Sequence, residues 1–320
     1  MTKHFEIPIV DFTGVMEGNP AAKKATAKQV REACLVHGFF YLTGHGIPQK
    51  FIDNAFAASR KFYSIPDDQK TDVYINQDFR GHAPLTLVTE IGGVKQSGRG
   101  ETFTFAPELP KNDPSILAKE FMCAPNLWPK AMPEFRDIAY GYYETIAHLG
   151  QKILRVLAIS LDIPESFFTD KFVKPVSQCV FLHYPPIPDT AEKNAVSGPE
   201  HTDWGTLTVL YQDNCGGLQV RDRTAQVWVD APPIEGHFVV NIGDMVERWS
   251  NNRYVSTPHR VINRSGKERY SIATFMNPTS GCVVDPRDWG VSDAECLFPP
   301  ITSGDYVRGR WEEYYLKKSA

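Results

Sequence analysis

The chain of 320 residues carries 34 Lys and Arg against 38 Asp and Glu, a formal net charge of −4 with an isoelectric point near 6.2. That balance argues against nucleic acid as a partner, and 42% hydrophobic with 22% charged residues excludes a disordered chain. The start, Met1-Thr2-Lys3-His4-Phe5-Glu6-Ile7-Pro8, has no apolar signal stretch and no run of about 18 apolar residues occurs, so a cytoplasmic protein with no membrane and no obligate protein partner is expected.

Ile7 to Phe12 reads as a short strand, and Ala21 to His37, rich in Ala, Lys and Gln, as a helix. Gly38-Phe39-Phe40-Tyr41-Leu42 reads as a strand closed by Gly44-His45-Gly46. A second helix is expected after Pro48, with Phe51, Ala55, Phe56 and Phe62 on its apolar face and its end before Pro66. Residues 67–130 read as mostly irregular with short strands. The longest helical pattern runs from Pro133 to Leu161, where Ile138, Tyr142, Ile146, Leu149, Ile153 and Leu157 form an apolar stripe. Such a stripe is core rather than a cofactor box.

Beyond Pro164 short β-branched runs separated by Gly, Asn, Asp and Pro take over almost to the C-terminus. They are Gln178–His183, Thr206–Tyr211, Leu218–Val220, Gln226–Val229, His237–Ile242, His259–Asn263 and Tyr270–Met276, a density that predicts a small sandwich or barrel. No repeat or low-complexity tract marks a linker. An N-terminal mixed region, 1–130, and a part holding the long helix and the strands, 131–320, are therefore expected to form one catalytic unit. The six cysteines include no Cys-x-x-Cys pair and read as free thiols.

There is no Gly-x-Gly-x-x-Gly after a strand, no phosphate loop, no His-Glu-x-x-His and no Gly-x-Ser-x-Gly. What remains is His201-Thr202-Asp203, whose His and Asp point to the same side of an extended chain and fill two adjacent positions on a divalent metal. His259 heads a predicted strand that can return beside them. Two His and one carboxylate make the facial triad of non-haem iron(II) enzymes, leaving three positions open, whereas a closed zinc site wants a fourth ligand. Arg269-Tyr270-Ser271 follows, with Arg269 and Ser271 on one strand face, able to grip a carboxylate. Pairing of Arg269 to an unseen Asp or Glu is the competing reading.

His201-x-Asp203, His259 and Arg269-x-Ser271 resemble the signature of the isopenicillin N synthase-like family of iron(II)- and 2-oxoglutarate-dependent oxygenases. Other stretches are similar to that family in the same order, among them Ile7-Pro8-Ile9-Val10-Asp11, Phe62-Tyr63-Ser64-Ile65-Pro66, Arg80-Gly81, His183-Tyr184-Pro185-Pro186, Gly216-Gly217-Leu218-Gln219-Val220, Val240-Asn241-Ile242-Gly243-Asp244 and Asn277-Pro278. The resemblance implies a distorted double-stranded β-helix, or jelly roll, with flanking helices. It implies that His201, Asp203 and His259 bind Fe(2+), and that 2-oxoglutarate meets Arg269, Ser271 and the Tyr184 phenol through its distal carboxylate. O2 is then the second co-substrate, and a C–H bond of a small molecule is hydroxylated with release of succinate and CO2.

Within that reading Trp204 and Phe275 are expected to wall an aromatic pocket, and Arg80, His82, Glu101 and Trp249 to be further substrate contacts. His45 and His183 are explained by turn and strand positions. The chain departs from the family in reading Leu182-His183-Tyr184-Pro185 where many members have Asn-Tyr-Tyr-Pro, and Val180 where some carry Arg, which points to a less charged substrate. The stretch from Leu182 to Asp203 and on to Arg248-Trp249-Ser250-Asn251 resembles thymine hydroxylases. The alternatives are an oxidase or cyclase of the same fold that does without 2-oxoglutarate, desaturation or demethylation, a zinc hydrolase, and a non-catalytic binding module.

Overall fold

A computed structural model describes residues 6–85, 89–91, 94–96, 100–188 and 196–315; the opening residues 1–5 lie outside it. Strand β1 (Ile9–Asp11) leads through the short helix α1 (Thr13–Met16) into α2 (Pro20–Val36). Pro20 starts α2 with its φ already set, and the Asn19 side chain accepts from the backbone N–H groups of Ala21 and Ala22. After β2 (Phe39–Thr43), helix α3 (Gln49–Ser64) buries Ile52, Ala55, Phe56, Phe62 and Tyr63 and stops ahead of Pro66. Strands β3 (Gly81–Ala83), β4 (Thr89–Ile91), β5 (Val94–Gln96) and β6 (Glu101–Phe105) and helix α4 (Pro114–Leu117) occupy the segment expected to be largely irregular. Helix α5 (Phe135–Ser160) buries the predicted Tyr142–Leu157 stripe.

The rest is mainly sheet: β7 (Gln178–Tyr184), β8 (Gly198–His201), β9 (Leu207–Gln212), β10 (Leu218–Arg221), β11 (Trp228–Asp230), β12 (Phe238–Ile242), β13 (His259–Val261), β14 (Arg269–Met276), β15 (Val283–Val284) and β16 (Ile301–Thr302). Helix α6 (Asp244–Trp249) interrupts the strands and α7 (Ser303–Tyr315) follows them. Neither helix, nor β8, is anticipated from the sequence pattern. The strand expected at Gln226–Val229 is displaced to Trp228–Asp230, because the Asp222 carboxylate accepts from the backbone of Thr224 and Ala225 and turns the chain there.

An eight-stranded sheet, ordered β1-β2-β12-β9-β14-β7-β6-β3, faces a four-stranded sheet, β11-β10-β13-β8, in a two-sheet jelly roll rather than a closed barrel. Only the β1–β2 pairing in these two sheets is parallel. Side chains alternate across the large sheet. Its inner face sends Phe39, Tyr41, Leu182, Tyr184, Leu210 and Val239 against Leu218, Val220 and Val261 of the small sheet. Its outer face sends Phe103, Phe105, Phe181 and Ile272 into the larger core under α3 and α5, where Phe135 and Phe181 meet edge to face at 5.6 Å. No helix among the described residues is long and apolar enough to cross a membrane.

Candidate metal centre and active site

The antiparallel β8–β13 pair sets His201 directly opposite His259, so one ladder brings together residues far apart in sequence. The ring centroids lie 4.3 Å apart. Asp203 follows His201 at the strand end, and its Oδ1 stands 3.7 Å from each imidazole Nε2. One ligand atom from each residue falls within 4.8 Å of the others. Asp203 is buried and His259 nearly so, whereas 38% of the His201 side chain is exposed, so the cluster opens on the His201 side.

The remaining polar atoms of the three side chains are committed elsewhere. His201 Nδ1 is 2.8 Å from the Pro199 carbonyl and His259 Nδ1 is 3.1 Å from that of Thr257. A carbonyl only accepts, so each Nδ1 carries a proton and each Nε2 is the ring atom turned toward the cluster, where a metal would take its lone pair. Asp203 Oδ2 accepts from Asn241 Nδ2 at 2.7 Å and from the Thr208 hydroxyl. Only Oδ1 is left facing the rings. Burial would raise the Asp203 carboxyl, but the two imidazoles and these hydrogen bonds outweigh it and hold it below its ordinary value. Burial, with His201 alongside, pushes His259 down to about 4, so it is neutral at physiological pH. Two imidazole Nε2 atoms and one carboxylate oxygen, converging with the opposite side open, fit an iron(II) facial triad.

The backbone under the cluster is tightly packed. The Asp244 N–H donates to the Asp203 carbonyl at 2.7 Å, and the Thr202 hydroxyl, between the two neighbouring ligand candidates, donates to Asp244 Oδ2 at 3.2 Å. Tyr306 of α7 donates to the same oxygen at 3.2 Å. Helices α6 and α7 thus brace the loop that presents His201 and Asp203.

Arg269 opens β14 on the inner face, opposite Tyr184 of β7, and is 1% exposed. Its Nε donates to the Gly216 carbonyl at 2.6 Å, one terminal nitrogen to Ser271 Oγ at 3.0 Å and the other to Gln212 Oε1 at 3.2 Å, with the Tyr184 ring centroid 5.1 Å away. Among the described residues none of the ion pairs includes Arg269. Structural pairing to an Asp or Glu, the competing expectation, is absent there. Burial presses the guanidinium below its ordinary value although the nearby Tyr184 and Asp213 act to raise it, and it stays charged with no carboxylate in ion-pair contact among the described residues.

The register locates the other expected residues. Asn241, Thr208 and Phe275 are consecutive cross-strand neighbours, so Phe275 shares its inner-face row with both partners of Asp203. Trp204 packs partly against the larger core. Four expected substrate contacts are corrected. His82, 0% exposed, and Glu101 bond each other at 2.7 Å on the outer face of the sheet. The terminal nitrogens of the Arg80 guanidinium are taken by the carbonyls of Asp78, Phe79 and Met122. Trp249 stacks on Trp289 at 5.6 Å inside the helical core. His183 is more than a strand position, since both of its ring nitrogens meet carboxylates. Thr208, Asn241 and Gln212, which hydrogen-bond Asp203 and Arg269, are not singled out by the sequence pattern, although Asn241 lies in one of the family-like stretches.

Residues 7–131 match the family described as non-haem dioxygenase in morphine synthesis N-terminal, and residues 176–278 match the 2OG-Fe(II) oxygenase superfamily. A 2-oxoglutarate-Fe(II) type oxidoreductase of Emericella nidulans is 36% identical over 98% of this chain and 91% of its own length. This chain belongs to the isopenicillin N synthase-like family of iron(II)- and 2-oxoglutarate-dependent oxygenases. The oxygenase is also similar to kihadalactone A synthase of Citrus sinensis, at 32% identity over 96% of this chain and 93% of that one. Among solved structures, a full-length Neurospora crassa protein in complex with alpha-KG and thymine shares the fold with a TM-score of 0.84, 27% identity and 97% of both chains covered. The oxygenase is thus an iron(II)- and 2-oxoglutarate-dependent enzyme acting on small molecules.

Proposed function

We propose that His201, Asp203 and His259 hold the iron(II), that Arg269, Ser271 and Tyr184 receive the distal carboxylate of 2-oxoglutarate, and that the enzyme hydroxylates a C–H bond of a small uncharged molecule. The observation that carries this reading is the pairing of three converging ligand atoms with a buried guanidinium that makes no ion pair among the described residues, inside one jelly roll. Iron(II), when bound with 2-oxoglutarate and O2, supplies oxidative decarboxylation to succinate and CO2 coupled to hydroxylation.

The chain's own residues do the positioning. Ser271 both accepts from Arg269 and, through its hydroxyl proton, is free to donate to a carboxylate held there. Leu210, Ala273 and Val180 form the inner-face row between the Asp203 end and the Gln212–Ser271–Leu182 row, so the floor of the site is apolar and sheds water. Val180, with Phe275 and Gln178 in the next row, offers apolar surface and one amide but no charge, which suits an uncharged heterocycle such as the thymine bound by the Neurospora relative. We also assign the enzyme to the cytoplasm, without nucleic-acid, membrane or obligate protein partners, on its net charge of −4 and six free cysteines.

Anaerobic titration of the apo-protein with iron(II) and then 2-oxoglutarate tests the site: the visible charge-transfer band of the chelate should appear, and should need far more 2-oxoglutarate in Arg269→Ala. Succinate release should then be stimulated by uncharged heterocycles and not by their carboxylated analogues. Iron binding without the band, or stimulation by carboxylated analogues alone, would contradict the assignment.

A further inference from the structure

A second set of buried ionisable side chains lies on the outer face of the large sheet, behind the anion cradle. Glu101 of β6, His183 of β7 and Tyr270 of β14 are direct cross-strand neighbours there. His183 Nδ1 is 2.7 Å from Glu101 Oε1, and its Nε2 is 2.5 Å from Glu268 Oε2. Carboxylate oxygens only accept, so both ring nitrogens must donate and the ring is an imidazolium. The second Glu101 oxygen meets His82 Nε2 at 2.7 Å and Lys70 Nζ at 3.8 Å, and Lys70 also pairs with Asp67 at 2.9 Å. Tyr270 stacks on His183 at 4.6 Å, Tyr63 of α3 lies 5.1 Å from it, and Arg60 of α3 sits 5.3 Å from the Tyr270 ring.

Strand alternation makes this outer set a support for the inner face. His183 immediately precedes Tyr184, and Glu268 immediately precedes Arg269, the two residues that face each other at the cradle. Gly100, next to Glu101, runs so close to Tyr184 that a Cβ there would lie 2.7 Å from the ring. The ends of β6, β7 and β14 are therefore joined by one cation between two carboxylates.

Building on the assignment of Arg269 to 2-oxoglutarate, we infer that the His183 imidazolium is a positioning residue. It ties the three strand ends so that Arg269 and Tyr184 present one fixed geometry to the co-substrate carboxylate. Burial alone would lower His183, but Glu101 and Glu268 outweigh it and raise the ring above its ordinary value. The tie is complete below the ordinary imidazole value while both carboxylates stay ionised. It is lost as pH rises through the raised value, when one N–H donor disappears and a carboxylate is left against a ring lone pair.

The experiment reads protonation and grip separately in the full-length enzyme. With 15N-labelled histidine, and His183 assigned through His183→Gln, both ring nitrogens should be protonated at neutral pH, with a midpoint above that of an exposed histidine. Glu268, whose side chain is 53% exposed, permits a variant that spares the core. In Glu268→Gln the midpoint should fall by about one pH unit. The Kd for 2-oxoglutarate, from anaerobic titration of the iron(II) enzyme, should rise roughly tenfold across the wild-type midpoint and show the same rise at lower pH in Glu268→Gln. The kcat at saturating 2-oxoglutarate should stay level. A neutral His183 ring at neutral pH, or a Kd profile that does not follow the midpoint in both proteins, overturns the inference. Failure of the chelate to form at any pH would remove the Arg269 assignment and the positioning role together, while the nitrogen signals would still judge the cation.

Discussion

At the scale of the residue, the Asp203 carboxylate shows how few atoms define the centre. Its Oδ2 is occupied by Asn241 and Thr208, which leaves Oδ1 as the one oxygen turned toward both imidazoles. Asn241→Ala removes one of the two donors to Oδ2 and loosens the carboxylate, so iron(II) affinity should fall by about 10- to 100-fold, measured by competition with a chromophoric chelator. Asp203→Ala should abolish binding at the same concentrations. The opposite end of the site behaves independently. Arg269 has a planar fork already aligned by Gly216, Ser271 and Gln212, and a lysine cannot reproduce it. Arg269→Lys should therefore raise the KM for 2-oxoglutarate by at least ~10-fold with iron(II) affinity unchanged, and equal losses of both would refute the separation.

At the scale of the element, the β8–β13 ladder and the turn beneath it decide whether those residues meet. A Cβ at Gly243 would lie 2.3 Å from the Gly205 carbonyl and 2.9 Å from that of Asp203, both backbone atoms that cannot move aside without shifting the loop. Gly243→Ala should lose iron(II) binding while the far-UV spectrum stays near native. The strand ends at Glu101 carry a pH dependence of their own. Burial would raise this carboxyl, but His183, His82 and Lys70 drive it from 4.5 down to about 2. A depressed folded value stabilises the fold above the unfolded one and loses that contribution as pH falls from about 4.5 toward 2. The difference amounts to roughly 3 kcal/mol. Urea midpoints of the wild type should fall across that interval, and Glu101→Gln should flatten the fall. These elements also mark the limit of sequence reading. The clustering of His201, Asp203 and His259 is legible because the first two share one strand face and the third heads another strand, and the inward place of Phe275 follows from strand alternation. β8 is hidden because Gly198-Pro199 breaks any strand pattern, α6 is too short for a helical period, and His82 and Glu101 look like site residues because a buried ion network uses the same side chains as a catalytic one.

For the whole molecule, the large sheet separates two apolar interiors that share strands but serve different ends. One lies between the sheets around the site, and the other lies under α3 and α5 and extends to Trp249. A residue's effect should therefore follow the side of the sheet it faces. Trp249 is 0% exposed, meets Phe167 and Phe168 at 5.5 and 5.8 Å, and donates to Asp288 at 3.1 Å. Its truncation leaves a cavity that these rings cannot fill, so Trp249→Ala should cost about 3–5 kcal/mol in urea unfolding. Because nothing in that set touches the inner face, the folded fraction should keep its KM values for 2-oxoglutarate and substrate. Phe275 sits on the opposite side, half-buried in the row of Thr208 and Asn241. It has less packing to lose and more of the site to shape. Phe275→Ala should cost under about 2 kcal/mol while raising the KM for the prime substrate several-fold. Reversal of the two outcomes, with Trp249→Ala altering KM and Phe275→Ala altering only stability, would mean that the substrate enters on the helical side of the sheet.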